Sequence, residues 1–123
     1  MIKQYTRLKV ADNTGAVELQ VITVRGFSKK SFGAIGDIVS ASVKKALPNS
    51  QTKKGKVVRA IIVRQNKEWR RPDGTYVRFD DNAAVILDDE LKNVKGTRIF
   101  GPIPREIKNT KFSKIISLAK EII

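Results

Sequence analysis

Apolar residues in this chain recur at every second position in short runs, and each run stops at a cluster of Gly, Pro, Asn or Asp. That period belongs to extended backbone, where successive side chains point to opposite faces. Residues 6–10 read as a first strand that ends at the turn Asp12-Asn13-Thr14-Gly15. Residues 18–25 follow, with Leu19, Val21 and Thr23 on one face and Ile22 and Val24 on the other. Residues 26–36 form a loop that holds three glycines and the pair Lys29-Lys30. Residues 37–45 put Val39, Ala41 and Val43 on one side, and residues 47–55 are polar and turn-rich. Residues 56–64 carry apolar groups on both faces, which suits a central strand, and residues 83–87 make another short one. Strands at this spacing favour a small closed or nearly closed barrel, because closure removes vulnerable edges.

The last third changes period. Residues 104–109 allow one or two helical turns. Residues 111–120 place Phe112, Ile115, Ile116 and Ala119 at i, i+3, i+4 and i+7, one buried helical face. Lys111, Lys114 and Ser117 form a stripe opposite. A solvated face is the reading such a stripe favours over a binding surface. The length of 123 residues suits a single domain, with a barrel over about residues 1–95 and a carboxyl-terminal region over about 96–123.

Between the two lies the segment 60–86, AIIVRQNKEWRRPDGTYVRFDDNAAVI. Pro72-Asp73-Gly74 signals a hairpin that joins two arms of a ribbon over about residues 64–80. Its arms carry Arg64, Lys67, Arg70, Arg71 and Arg78, interleaved with Trp69, Tyr76 and Phe79. Guanidinium groups fork to phosphate oxygens and flat rings stack on bases, so a polyanion such as RNA is the reading set against an ordinary solvated hairpin. Charge supports it. The chain has 25 Lys+Arg against 12 Asp+Glu, a net charge of +13. Eleven basic and two acidic residues fall between Lys44 and Arg78, so +9 of the +13 sits there. Nucleic acid is the commonest partner for such a concentration. An anionic membrane surface would call for a basic amphipathic helix or a lipid anchor, and the basic region shows neither.

Other chemistry finds little footing. The chain has no Cys and no His, hence no disulfide framework, thiol nucleophile, imidazole base or Cys/His zinc site. No apolar run approaches the ~20 residues of a membrane-spanning helix. The opening MIKQYTRLKVADN alternates and lacks a signal-peptide core, so a soluble cytoplasmic protein is expected, or an organelle-encoded one. Asp80, Asp81, Asp88, Asp89 and Glu90 are the right type for a magnesium site, yet they flank a short strand and read as turn residues. The loop 26–36 lacks the Gly-Lys-Ser/Thr of a phosphate-binding loop.

Several blocks now combine. Ala60-Ile61-Ile62-Val63, Asp73-Gly74, Phe79, Asn82 and Val85-Ile86, with KVADNTGA, AIGDIV, RRPDG, GTRIFGP and KIISLA, resemble the signature of the universal large-subunit ribosomal protein L-fourteen family, in order and spacing over essentially the whole chain. Two departures from it are visible. Val17 and Glu18 follow the NTGA block where the family often has a basic residue, and Lys120 stands where it usually has Pro, freeing the last helix to run on toward Ile123.

The resemblance implies a mainly β fold: a small five-stranded β-barrel with a projecting β-ribbon and one or two short carboxyl-terminal helices. It implies a structural, non-enzymatic role with no cofactor. Its partners would be large-subunit rRNA, small-subunit rRNA across the subunit interface, and ribosomal proteins L-three and L-nineteen. On that reading Arg64, Arg70, Arg71 and Arg78 clamp phosphates from the ribbon, while Lys29, Lys30, Lys44, Lys45, Lys53 and Lys54 contact RNA from the barrel loops. The family also docks a ribosome silencing factor, which implicates Thr97, Arg98, Lys114 and Ser117, with Ile99-Phe100 as the anchor of their loop. The alternatives from the residues alone are a metal-dependent nuclease built on the acidic cluster and a free-standing single-strand nucleic-acid-binding barrel.

Overall fold

Alternation carries through into a closed barrel. The computed structural model describes residues 1–123 except Met1, residues 25–31, Asn49, Gln51, Asp89, Glu90, Lys92, Thr110, Lys111 and Ser113. Lys29, Lys30, Asp89, Glu90 and Lys111, singled out above, therefore lie outside the described residues. Strands β1 (Arg7–Val10), β2 (Ala16–Val24), β3 (Ile38–Ala46), β4 (Val57–Arg64) and β7 (Ala83–Ile86) close in the order β1-β2-β3-β4-β7. Neighbours run antiparallel except at the seam, where β1 and β7 pair in parallel through Lys9↔Ala83 and Val10↔Ala84. The ribbon is two short strands, β5 (Trp69–Arg70) and β6 (Tyr76–Val77), inserted between β4 and β7.

β4 is central, as its two apolar faces require. Ala60 and Ile62 point into the barrel with Leu19, Val21, Val39, Ala41 and Ile86. Ile61 and Val63 point outward, where Ile99, Ile103, Ile107, Phe112 and Ile115 cover them. The barrel wall thus belongs to two cores at once. Each fully buried Ile contributes about 1.5–3 kcal/mol relative to exposure.

One face assignment in β2 needs correction. Val24 is buried beside Leu19 and Val21, and Thr23 faces out with Ile22. A β-bulge between Val21 and Thr23 inserts one extra residue and flips the parity beyond it.

The carboxyl-terminal region also differs from expectation. A 3-10 helix spans Arg105–Asn109, and the α-helix α1 covers only Lys114–Leu118. The helix does not run on past Lys120. Residues Ala119–Ile122 form β9, which pairs in parallel with β8 (Ile99–Ile103) through Ile99↔Ala119, Pro102↔Glu121 and Ile103↔Ile122. A helix this short is marginal by itself, whereas β8 offers a ready row of backbone partners. Ile123 N–H donates to Ile103 O at 2.9 Å, and Arg105 N–H donates to Ile123 O at 3.0 Å. Ile115 and Phe112 are buried as the helical period predicts, and Lys114 and Ser117 are exposed. No helix among the described residues is long and apolar enough to cross a membrane.

The turn at Asp12 fastens the barrel seam. Asp12 Oδ1 accepts from Thr14 N–H and from the Thr14 hydroxyl, at 3.2 and 2.7 Å, and Oδ2 accepts from Ile86 N–H at 2.9 Å. Burial pushes this carboxyl above its usual range, and the bonds from Thr14 and Ile86 pull it part of the way back. Replacing Asp12 by Ala strands the Ile86 and Thr14 donors. The expected cost is about 1–3 kcal/mol, read as a lower urea midpoint with an unchanged slope. A midpoint equal to wild type would show that the carboxylate does not fasten the seam.

Candidate nucleic-acid interface

Arg70 and Arg71 are adjacent in an extended strand, so they cannot share a face. In the ribbon Trp69 stands opposite Val77 and Arg70 opposite Tyr76. The loop between them closes on Gly74, at φ +92°. Gly74 N–H donates to Arg71 O at 2.9 Å, and Asp73 Oδ1 accepts from the Thr75 amide and hydroxyl at 3.0 and 2.7 Å. Those bonds from Thr75 hold the Asp73 carboxyl below its usual range. The two arms then sort cleanly. Trp69 and Val77 are half-buried and Arg71 and Phe79 buried on one face; Glu68, Arg70, Tyr76 and Arg78 are exposed on the other.

The inner face is tied to the carboxyl-terminal region. Trp69 stacks on Phe79 with centroids 5.9 Å apart, and the Arg71 guanidinium lies 5.9 Å from the Trp69 centroid. Arg71 forks onto Glu106, with Nε to Oε1 at 2.6 Å and Nη2 to Oε2 at 3.2 Å, and also donates to Ile123 O at 2.8 Å. Arg64, at the end of β4, behaves similarly. Its Nη1 donates to Phe100 O at 2.9 Å, and its Nε stands 3.1 Å from Asp81 Oδ1. The guanidinium passes so close over Gly101, at φ +82°, that a Cβ there would collide with Nη1. Arg64 and Arg71 are 8% and 7% exposed. The structure thus parts the four arginines expected on phosphate: two are internal ties and two, Arg70 and Arg78, face out.

Lysines gather at one end of the barrel. The turn after Lys53 folds back along β3, with Gly55 N–H donating to Val43 O at 2.8 Å and Val43 N–H to Lys56 O at 2.9 Å. It sets Lys53, Lys54 and Lys56 beside Lys44. Lys53, Lys54 and Lys56 are exposed and Lys44 is half-buried. Lys56 was not singled out from the sequence, because only the turn's hydrogen bonds show that it joins the cluster. Lys45 is exposed but stands 3.9 Å from Glu18, which also pairs with Arg7 at 2.8 Å. Glu18, one of the two departures from the family pattern, thus draws off part of that corner's positive charge.

The third group consists of two pairs, each held by its own bonds. Asn13 accepts from Thr97 N–H and Arg98 N–H at 2.9 and 3.3 Å, and donates to the Thr97 hydroxyl at 2.9 Å. Because Ile99 pairs with Ala119, the Thr97-Arg98 loop runs alongside the end of α1. Lys114 is exposed at the start of that helix, and the Ser117 hydroxyl donates to Lys114 O at 2.7 Å. The anchor of this loop is Ile99 alone, at 3% exposure; Phe100 alternates outward at 51%. As for metal chemistry, no group of three or more acidic side chains able to hold an ion occurs among the described residues.

A family model described as Ribosomal protein L14p/L23e matches the chain over residues 1–123.

The sorting of the ribbon makes a stability prediction. Arg71→Ala leaves Glu106 without its donor and removes one of the two donors to Ile123 O, and should cost about 2 kcal/mol or more. Gly101→Ala should cost as much, through strain at positive φ and collision with Arg64. Arg70→Ala should stay within about 0.5 kcal/mol of wild type. Chemical denaturation of the three variants checks the order, and equal losses at Arg70 and Arg71 would contradict it.

Proposed function

The chain belongs to the ribosomal protein L14p/L23e family, and on that premise we propose how this structural protein of the large ribosomal subunit engages RNA and its neighbours. Large-subunit rRNA lies against two surfaces. One is the outward ribbon face, where Arg70 and Arg78 meet phosphates. The other is the lysine end of the barrel, with Lys44, Lys45, Lys53, Lys54 and Lys56; Lys29 and Lys30, in the segment between β2 and β3, are further RNA contacts in this reading. The observation that carries this reading is the alternation of the ribbon, which leaves Arg70 and Arg78 exposed while Arg64 and Arg71 are buried. Arg suits a site where phosphate geometry matters, and Lys one where a point charge suffices. Folded RNA is recognised by shape and backbone, so no base-edge code is needed.

In this reading Arg64 and Arg71 act indirectly. They hold the ribbon against β8, β9 and the 3-10 helix, so that its outer face is presented at a constant angle. The protein's remaining partners are small-subunit rRNA at an intersubunit bridge and ribosomal proteins L-three and L-nineteen, within ribosomes of a cytoplasm or an organelle. Thr97, Arg98, Lys114 and Ser117 are the docking patch for a ribosome silencing factor. Lys114 supports that role by standing exposed at the start of a helix whose Ile115 is fully buried, so its charge can change without touching the core.

Two experiments test these assignments. In filter binding to deproteinised large-subunit rRNA, Arg70→Ala with Arg78→Ala should weaken affinity and flatten the salt slope by up to about two units. An unchanged slope in a folded double variant removes the ribbon from the interface. Lys114→Glu should leave rRNA binding intact and abolish capture of the silencing factor. Capture at wild-type level would remove Lys114 from that patch.

A further inference from the structure

Three aromatics punctuate the ribbon, and the structure gives them different fates. Trp69 and Phe79 are turned inward and stack on each other. Tyr76 is turned outward and is 68% exposed. Nothing in the fold calls for a large ring at that place, since the ribbon's own packing is completed on the other face. Directly across the ladder from Tyr76 is Arg70, and Arg78 stands two residues further along the same arm on the same face. Residues opposed in this way have Cβ atoms about 5 Å apart. Arg70 reaches back toward the turn, where a Cβ on Gly74 would come 3.9 Å from its Nη2 and meet nothing else within 4 Å. The ring therefore sits on an uncovered face between two cations.

We infer that Tyr76, flanked by Arg70 and Arg78, is a stacking platform for one unpaired nucleobase of the bound RNA. The inference rests on the RNA-binding reading above and deepens it. A nucleotide chain alternates base and phosphate, and each base is followed and preceded by a phosphate. An Arg–Tyr–Arg face offers the matching alternation: a π surface for the base and a guanidinium for the phosphate on either side. The platform is preorganised. The ring has two rotatable side-chain bonds, and the strand beneath it is held by the Trp69–Phe79 stack and by Arg71 on Glu106. Stacking tolerates any base, so the site selects an unpaired nucleotide rather than a sequence.

Deproteinised large-subunit rRNA is the probe, titrated at several salt concentrations. Tyr76→Val keeps a strand-forming residue, so the ribbon is retained. It should bind roughly tenfold more weakly with an unchanged salt slope, whereas Tyr76→Phe should bind like wild type. Ultraviolet crosslinking should join Tyr76 to a single unpaired nucleotide. Wild-type affinity in Tyr76→Val overturns the platform, and so does a Tyr76→Phe variant that falls as far as Tyr76→Val, because a hydroxyl contact is then responsible. The arginine double variant separates the two readings. A flattened slope with wild-type affinity in Tyr76→Val leaves RNA binding standing without the platform. No effect from either variant overturns both.

Discussion

One wall of the barrel has to serve two cores, and the rest of the architecture follows from that. β4 presents Ala60 and Ile62 to the barrel interior and Ile61 and Val63 to the outside. An outward apolar face on a barrel wall must be covered, and the carboxyl-terminal region does so with Ile99, Ile103, Ile107, Phe112 and Ile115. β8 then crosses the end of β4, and Arg64 closes the join by donating to the β8 backbone while it faces Asp81. The ribbon leaves from the same end of β4, and its inner face meets the carboxyl-terminal layer beside the ribbon's turn. Arg71, Glu106 and Ile123 are the residues of that contact.

Two buried arginines are unusual in a small protein, and their geometry shows why they are tolerated. Each guanidinium is met by a carboxylate and by at least one backbone carbonyl, so its charge is compensated where water is scarce. A guanidinium also spans a wider set of acceptors than an ammonium, which suits a tie between separate segments. The consequence is a division of the cations by face within one strand period. Inward cations tie the ribbon to the carboxyl-terminal layer, and the outward Arg70 and Arg78 stay exposed, with Glu68 close enough to feel the charge of Arg78.

Most of the barrel was legible in the sequence because the period-two pattern of residues 37–45 and the two-faced run 56–64 follow directly from which faces are buried. The parity of β2 beyond Val21 was not, since a bulge leaves no composition signal there. The short parallel pair β8–β9 was also missed. Its strands are far apart in sequence, and the helical period of Phe112, Ile115 and Ile116 continues formally into residues that pair as strand. At the ribbon, composition drew all of its arginines into one set. Yet the strand period already separates Arg70 from Arg71, and Glu106 is too distant in sequence for its partner to be read. The acceptor role of Asn13 toward Thr97 and Arg98 was hidden in the same way: the turn was visible, its long-range bonds were not.

The central claim is that the ribbon's arginines are sorted by face into ties and RNA contacts. Arginine-selective modification with phenylglyoxal, read residue by residue by mass spectrometry, tests it most directly in free protein and in the complex with large-subunit rRNA. Arg70 and Arg78 should react in the free protein and be protected in the complex, while Arg64 and Arg71 should be unreactive in both. Ready modification of Arg71 or Arg64 in the free protein, or undiminished modification of Arg70 and Arg78 in the complex, would contradict the account.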